Sequence, residues 1–103
     1  MAKFAIKAEP TFDVKVWFPV AGGESVDVLL TFKHRTKTQL DEFIKTRPDV
    51  SDVDSFLDMV KGWDLSDSFT RKNVEMLLDN HIGVALATYK GYIDELMRHR
   101  AKN

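Results

Sequence analysis

The spacing of apolar residues changes once along the chain, close to residue 35, and this change constrains the fold more than any other feature. Before it, apolar and polar side chains alternate over two short segments, which is the period of a half-buried strand. After it, apolar residues recur every three or four positions, which is the period of an amphipathic helix. Strands that precede helices indicate an α+β fold rather than a doubly wound one. At 103 residues, the chain is predicted to form a single domain over residues 1–103.

An antiparallel hairpin is predicted over residues 11–33. Gly22 and Gly23 supply the backbone freedom that its turn needs. Two strands alone are marginally stable, so helices must cover the sheet or a third strand must join it, and Phe4 and Ile6 mark a weak candidate for that strand. The residues expected to face the core are Phe12, Val14, Val16, Phe18, Val26, Val28, Leu30 and Phe32.

About four helices, packed on one face of the sheet, are predicted over residues 36–100. Thr36 begins a capping box for the first helix, and Ser51 or Asp52 begins the second. The side chains expected to face the core are Leu40, Phe43 and Ile44 in the first helix, Val53, Phe56, Leu57 and Val60 in the second, Val74, Leu77 and Leu78 in the third, and Leu86, Tyr89, Ile93 and Leu96 in the fourth.

The connection between the second and third predicted helices carries two large aromatic residues. Gly62 is expected to end the second helix in the left-handed conformation, with Trp63 folding back onto the last turn. Thr70 is expected to cap the third helix, with Phe69 and Val74 forming a hydrophobic staple. We therefore predict that this connection fixes the angle between the two helices.

The same connection has the length of a calcium-binding EF-hand loop, from Asp64 to Glu75. The glycine that such a loop needs at its sixth position is replaced by Phe69, and the third and fifth positions lack carboxylates. The capping interpretation is therefore favoured, and we expect no bound metal.

Composition excludes several classes of function. The chain has no cysteine, which rules out disulfides, thiolate zinc sites and cysteine nucleophiles. The three histidines are not spaced as a metal pair, and no nucleophile motif or glycine-rich phosphate loop is present. No apolar run has the length of a signal peptide or a membrane span. We predict a protein that is not an enzyme, has no cofactor and does not bind membranes.

A basic stretch, Lys33-His34-Arg35-Thr36-Lys37, stands where the strands give way to helices. It could contact phosphates, but it lacks interleaved aromatic residues, and the net charge of the chain is only −1. A solvated corner is the favoured interpretation, so nucleic-acid binding is not expected.

Trp17 and Leu29 fall on the sheet face opposite the predicted core face. If helices cover one face only, these residues form an exposed patch suited to a partner. Alternatively, the first helix or the N-terminal segment covers them, and the sequence does not decide between the two. A free edge of the sheet offers a second route to a partner, by strand addition.

Over about residues 10–100 the chain resembles the tail assembly chaperones of long-tailed bacteriophages and prophages. Structural motifs, not catalytic ones, carry the resemblance. They are Phe18-Pro19-Val20-Ala21-Gly22-Gly23, Val28-Leu29-Leu30-Thr31-Phe32-Lys33, Lys61-Gly62-Trp63-Asp64, Phe69-Thr70 and Tyr92-Ile93-Asp94-Glu95-Leu96.

The resemblance implies a non-enzymatic role in the host bacterial cytoplasm. Such chaperones bind the long, mostly helical tape measure protein and recruit tail tube protein, and self-association is a further hypothesis. The candidate partner-binding residues are Trp17, Leu29, Trp63, Asp64 and Phe69. An alternative is a small prophage or bacterial adaptor domain with a different protein partner, which the neighbouring genes would distinguish.

Overall fold

A three-stranded antiparallel sheet, ordered β1-β2-β3, is covered on one face by helices in the computed structural model, which describes residues 3–98. The elements of these residues are β1 (Thr11–Phe18), β2 (Val26–Lys33), α1 (Lys37–Thr46), a short 3-10 turn (Arg47–Asp49), α2 (Asp52–Met59), β3 (Val60–Trp63), α3 (Arg71–Asn80) and α4 (Val84–Met97). The predicted α+β class is confirmed. The last two residues of the predicted helical part, 99 and 100, lie outside the described residues.

The hairpin of β1 and β2 has the predicted inner face. Its register pairs Phe12 with Phe32 and Phe18 with Val26. Gly22 has a φ of +75°, the left-handed conformation that favours glycine in a turn. Val26 lies at the end of the strand next to this turn and is exposed, unlike the other predicted inner residues of β2.

The third strand is not the one that the sequence suggested. Phe4 and Ile6 are exposed and belong to no strand, so that prediction is wrong. The position beside β2 is taken by β3, in which Val60 pairs with Phe32 and Trp63 pairs with Leu30. Val60 is therefore the first residue of a strand and not the last apolar position of a helix.

Gly62 is also placed differently from the prediction. It lies within β3, opposite Thr31, and its φ is not positive. No left-handed residue is needed, because the chain leaves α2 at Met59 and continues directly in the extended conformation. The predicted left-handed helix end at Gly62 is therefore wrong.

Side-chain caps fix the starts of three helices as predicted. Thr36 and Gln39 form a capping box at α1. Ser51 accepts a hydrogen bond from the backbone N–H of Asp54 at α2, and Thr70 accepts one at α3. These bonds satisfy N–H groups that have no partner inside the helix.

Helix α4 packs three of its four predicted residues, Tyr89, Ile93 and Leu96, against the core, but they are only partly buried. Val84, Thr88 and Tyr92 are its fully buried residues, whereas Leu86 is 54% exposed. The prediction for Leu86 is wrong because α4 is apolar on several sides, so its composition alone does not select one face. The face that packs is selected by close approach to the sheet, since a Cβ on Gly91 would lie only 3.2 Å from Cγ2 of Val16.

Candidate partner-binding surfaces

The sheet face that carries no helix exposes the two apolar residues singled out from the sequence. Trp17 is 59% exposed and Leu29 is 37% exposed. Trp17 pairs with Asp27 and Lys15 pairs with Leu29, so Trp17 and Leu29 are diagonal neighbours across β1 and β2. The uncovered-face interpretation is therefore the one observed. We call the outward-facing side of β1 and β2, centred on Trp17 and Leu29, the outer sheet face.

Polar pairs frame this apolar patch. Lys15 Nζ lies 3.5 Å from Asp27 Oδ2, and the Thr31 hydroxyl donates to Asp13 Oδ1 at 2.8 Å. Both pairs cross from β1 to β2 and stabilise the register of the hairpin. Only Lys15 and Asp27 form an ion pair here, since the Asp13 carboxylate is paired with a neutral hydroxyl.

Asp64 is committed to the backbone beside Leu29. The Leu29 N–H donates to Asp64 Oδ1 at 3.0 Å, and the Asp64 N–H donates to the Leu29 carbonyl at 3.1 Å. This reciprocal pair extends the pairing of β2 one residue beyond β3. The candidate residue Asp64 therefore stabilises the edge of β2 next to the outer sheet face.

Trp63 and Phe69 pack against each other in the connection after β3. Their rings meet edge to face at 4.9 Å between centroids, and Trp63 also approaches Phe56 at 6.4 Å. The indole N–H of Trp63 donates to the Asp67 carbonyl at 2.7 Å. Trp63 thus packs back toward the end of α2 as predicted, and both aromatic side chains are half-buried.

A shallow cleft of about 370 Å³ lies beside this connection. Trp63, Leu65 and Leu77 form its apolar side, and Met76 on α3 is exposed at its rim. Its polar side is formed by neutral amides, Asp67 and His81. The cleft therefore holds no arginine or lysine that would select an anionic ligand.

A larger groove of about 610 Å³ opens between the start of α1 and the end of α4. We call it the α1–α4 groove. Its apolar lining consists of Leu40, Ile44, Leu96 and Met97, and its polar lining consists of His34, Arg35, Thr36, Lys37 and Asp41. Ile44 was predicted to face the core, but it is 40% exposed, so that prediction is wrong.

Arg35 is anchored at this groove by hydrogen bonds and a ring contact. Its Nη1 donates to the Asp58 carbonyl at 3.0 Å and to the Tyr92 hydroxyl at 2.9 Å. The guanidinium carbon lies 4.2 Å from the centre of the Phe43 ring, a cation–π distance. The favoured interpretation of this stretch as a solvated corner is therefore wrong for Arg35, which is half-buried.

Tyr92 anchors Arg35 from the core side. Its hydroxyl donates to the Lys33 carbonyl at 2.7 Å while it accepts from Arg35. Burial raises the pKa of the Tyr92 hydroxyl, and the adjacent Arg35 opposes that rise in part. The neutral phenol is the form that donates to the carbonyl, so the environment favours the form that the structure uses.

Sequence reasoning offered an exposed patch at Trp17 and Leu29 as one of two open alternatives, and it did not find the α1–α4 groove. The basic stretch was visible, yet nothing local shows that Leu40 and Ile44 would meet Leu96 and Met97. Those pairs are more than fifty positions apart in the chain and meet only through tertiary packing. One sequence signal could have indicated the groove. Leu40 and Phe43 already supply the buried face of α1, so Ile44 is an additional apolar residue that is available for an exposed surface.

A small α+β fold with an uncovered apolar sheet face and an apolar groove has the surfaces of a protein-interaction domain. A family model described as phage tail assembly chaperone matches residues 1–103. The chain therefore belongs to the phage tail assembly chaperone family, as its resemblance indicated. No curated protein and no solved structure matches it.

Within residues 3–98, none of the helices combines the length and the apolar character needed to cross a lipid bilayer.

Proposed function

We propose that the protein assists tail assembly by binding tape measure protein and tail tube protein in the cytoplasm of the host bacterium, without catalysing a reaction. The observation that carries this proposal is the family match, which extends over the whole chain. Members of such a family act on tail proteins, and the family is in general non-catalytic. Tape measure protein and tail tube protein are the finer assignment that the proposal adds.

The outer sheet face supports the proposal physically. An assembly chaperone must present apolar surface to its client while remaining soluble itself. Trp17 and Leu29 provide exposed apolar surface, and the matched pair of Lys15 and Asp27 keeps that surface polar at its margin. Trp63, Phe69 and Asp64 contribute indirectly in this proposal, because they hold the adjoining sheet and connection in place.

Co-purification tests the proposal. The tagged protein is co-expressed with the tape measure protein, and separately with the tail tube protein, encoded by the same phage. We expect each tail protein to be captured, and the tape measure protein to move from the insoluble to the soluble fraction. Capture of neither tail protein would contradict the proposal and favour an adaptor domain with a different partner.

A matched pair of variants tests the surface. Replacing both Trp17 and Leu29 with Ser removes the exposed apolar patch, whereas Ile82→Ser removes a still more exposed apolar side chain from the connection between α3 and α4. We expect client capture to fall for the first variant and to persist for the second.

A second copy of the chain is the competing occupant of this face. Sedimentation of the purified protein over a range of concentrations measures whether the chain self-associates.

A further inference from the structure

We propose that the α1–α4 groove binds an acidic amphipathic helix of a partner chain, with Arg35 and Lys37 receiving its carboxylates and the groove's four aliphatic side chains receiving its apolar residues. The inference rests on the proposed function in that the helix belongs to a client in tail assembly. The inference adds a second binding surface, separate from the outer sheet face, to the proposed function. It also specifies which kind of partner segment binds there, namely an acidic amphipathic helix.

The charge of Arg35 is the first argument. Both of its hydrogen bonds come from Nη1 and go to uncharged acceptors, the Asp58 carbonyl and the Tyr92 hydroxyl. Among residues 3–98, no carboxylate is ion-paired with Arg35, and its Nε and Nη2 donors have no protein acceptor. A guanidinium with two adjacent donors available is suited to a carboxylate, because the two groups match in geometry and the bonds are charge-assisted.

Preorganisation is the second argument. Arginine side chains lose considerable conformational entropy when a ligand immobilises them. Here Phe43 and Tyr92 already fix the guanidinium in the free protein. A carboxylate that binds Arg35 therefore gains the interaction without the usual cost of ordering the arginine.

Lys37 supplies a second cation, and its present ion-pair partner is easily replaced. It forms an ion pair with Asp41 at 3.1 Å, but both side chains are largely exposed, and such pairs contribute little to stability. A ligand carboxylate can replace Asp41 as the partner of Lys37. Asp41 lies between Lys37 and Ile44 along α1, so its charge disfavours a carboxylate at the Ile44 end of the groove and leaves the end with Arg35 and Lys37 to acidic groups.

The apolar half of the groove selects the shape of the ligand. Leu40 is buried at its base, whereas Ile44, one helical turn further along α1, and Met97 at the end of α4 are exposed. The lining comes from a loop and two helices and includes no strand residue, so an added strand would find no backbone partner. A helix that presents aliphatic residues one turn apart fits such a groove through its side chains alone.

The sequence of the chain itself argues against its own C-terminal residues as the occupant. Residues 99–103 include Arg100 and Lys102 and contain no acidic residue. Their charge has the same sign as that of Arg35 and Lys37, so electrostatic complementarity is lacking. An acidic segment of another chain has the opposite sign.

Two substitutions on α4 test the groove against a matched control. Met97, at the groove, is 52% exposed, and Leu86, outside its lining, is 54% exposed on the same helix. Met97→Asp places a carboxylate where the ligand's acidic helix would bind, whereas Leu86→Asp makes the same chemical change elsewhere. Thermal unfolding of both variants tests whether each remains folded.

The binding measurement uses fluorescence anisotropy with overlapping peptides from the tape measure and tail tube proteins, together with a designed Glu/Leu amphipathic helix and its Lys/Leu counterpart. We expect peptides that combine acidic and aliphatic residues to bind, and the Lys/Leu peptide not to bind. Met97→Asp should weaken binding by about tenfold or more, as for an interface anchor, and Leu86→Asp by less than about twofold. Binding should also weaken as salt is raised.

The outcomes separate this inference from the proposed function. If intact client is captured equally by wild type, Met97→Asp and Leu86→Asp, and no acidic peptide prefers wild type, the groove inference fails while the proposed function stands. If the Glu/Leu helix binds with the expected dependence on Met97 but neither tail protein is captured, the proposed function fails and the chemistry of the groove is upheld. A dimer of the free protein that Met97→Asp dissociates would overturn the assignment to a partner's helix.

Discussion

Tyr92 connects three parts of the molecule that are distant in sequence. It is fully buried on α4, its hydroxyl donates to the Lys33 carbonyl at the end of β2, and it accepts from Arg35 in the loop before α1. Its ring also lies near those of Phe32 and Phe43, with centroids 5.0 Å and 5.9 Å away. One hydroxyl therefore holds both the sheet end and the cation of the α1–α4 groove.

Tyr92→Phe should lower the free energy of unfolding by about 1–2 kcal/mol, because the Lys33 carbonyl and an Arg35 donor both lose a partner in a largely buried setting. Tyr89→Phe is the matched control, since no hydrogen bond of the Tyr89 hydroxyl is found among residues 3–98, and it should change stability by less than about 0.5 kcal/mol. Urea denaturation at neutral pH measures both. Equal effects of the two variants would contradict the role assigned to the Tyr92 hydroxyl.

The raised pKa of Tyr92 predicts how stability depends on alkaline pH. The unfolded chain releases the tyrosine proton near the usual pKa of about 10, whereas the folded chain retains it to higher pH. The stabilisation is thus complete below about pH 10 and is lost as pH rises through the folded-state pKa. Compared with Tyr92→Phe, the wild type should lose additional stability above pH 10, which urea denaturation at pH 8 and at higher pH would show. Parallel curves for the two proteins would be inconsistent with this linkage.

At the scale of elements, two glycines set how closely α4 approaches β1. A Cβ on Gly83 would lie 2.7 Å from Cγ of Pro19, and one on Gly91 would lie 3.2 Å from Cγ2 of Val16. The first contact is with a proline ring, which has little freedom to move. The start of α4 therefore rests against the end of the hairpin through contacts that only glycine permits.

Gly83→Ala should destabilise the protein by about 1–3 kcal/mol, the usual cost of an overpacked contact. Gly62→Ala is the control, because nothing lies within 4 Å of a Cβ at that position and its φ is not positive. We expect only a small change for the control. Thermal unfolding of the two variants measures the difference, and a Gly83→Ala variant as stable as wild type would show that α4 can shift without cost.

Local patterns predicted the elements whose signals lie within a few residues. Alternation located β1 and β2, and the side-chain oxygens of Thr36, Ser51 and Thr70 located three helix starts. Each of these signals acts through bonds or faces inside the element itself. The family resemblance, carried by the same local motifs, was confirmed by the match over the whole chain.

The features that the sequence did not predict depend on pairing between distant segments. Val60 continues the apolar spacing of α2, so the pattern assigned it to a helix, yet its pairing with Phe32 makes it a strand residue. The pattern wrongly placed Leu86 on the packed side of α4, because packing against β1, and not composition, selects the face. The α1–α4 groove has the same origin, since it forms where two helices distant in sequence converge.

At the scale of the whole molecule, the outer sheet face and the α1–α4 groove are two apolar surfaces of residues 3–98 that differ in chemistry. The outer sheet face is framed by the Lys15–Asp27 ion pair and the Thr31–Asp13 hydrogen bond, whereas the α1–α4 groove carries a cation, Arg35, that lacks a carboxylate partner among the described residues. Two surfaces of different chemistry are consistent with the proposed binding of both tape measure protein and tail tube protein. Weak contacts at both would reinforce each other if one client spans them.

The N-terminal segment provides the last test at this scale. Residues 3–9 are exposed, and Phe4 and Ile6 pack against nothing in the described core, whereas the Pro10 carbonyl accepts a hydrogen bond from His34. A variant that lacks residues 3–9 but keeps Pro10 should therefore unfold with a free energy within about 0.5 kcal/mol of wild type, since no buried contact is removed. Urea denaturation measures this, and a larger loss would mean that the segment stabilises the domain. If stability is unchanged, client capture by the same variant then shows whether the exposed Phe4 and Ile6 contribute to binding. Any loss of capture cannot in that case result from loss of folding.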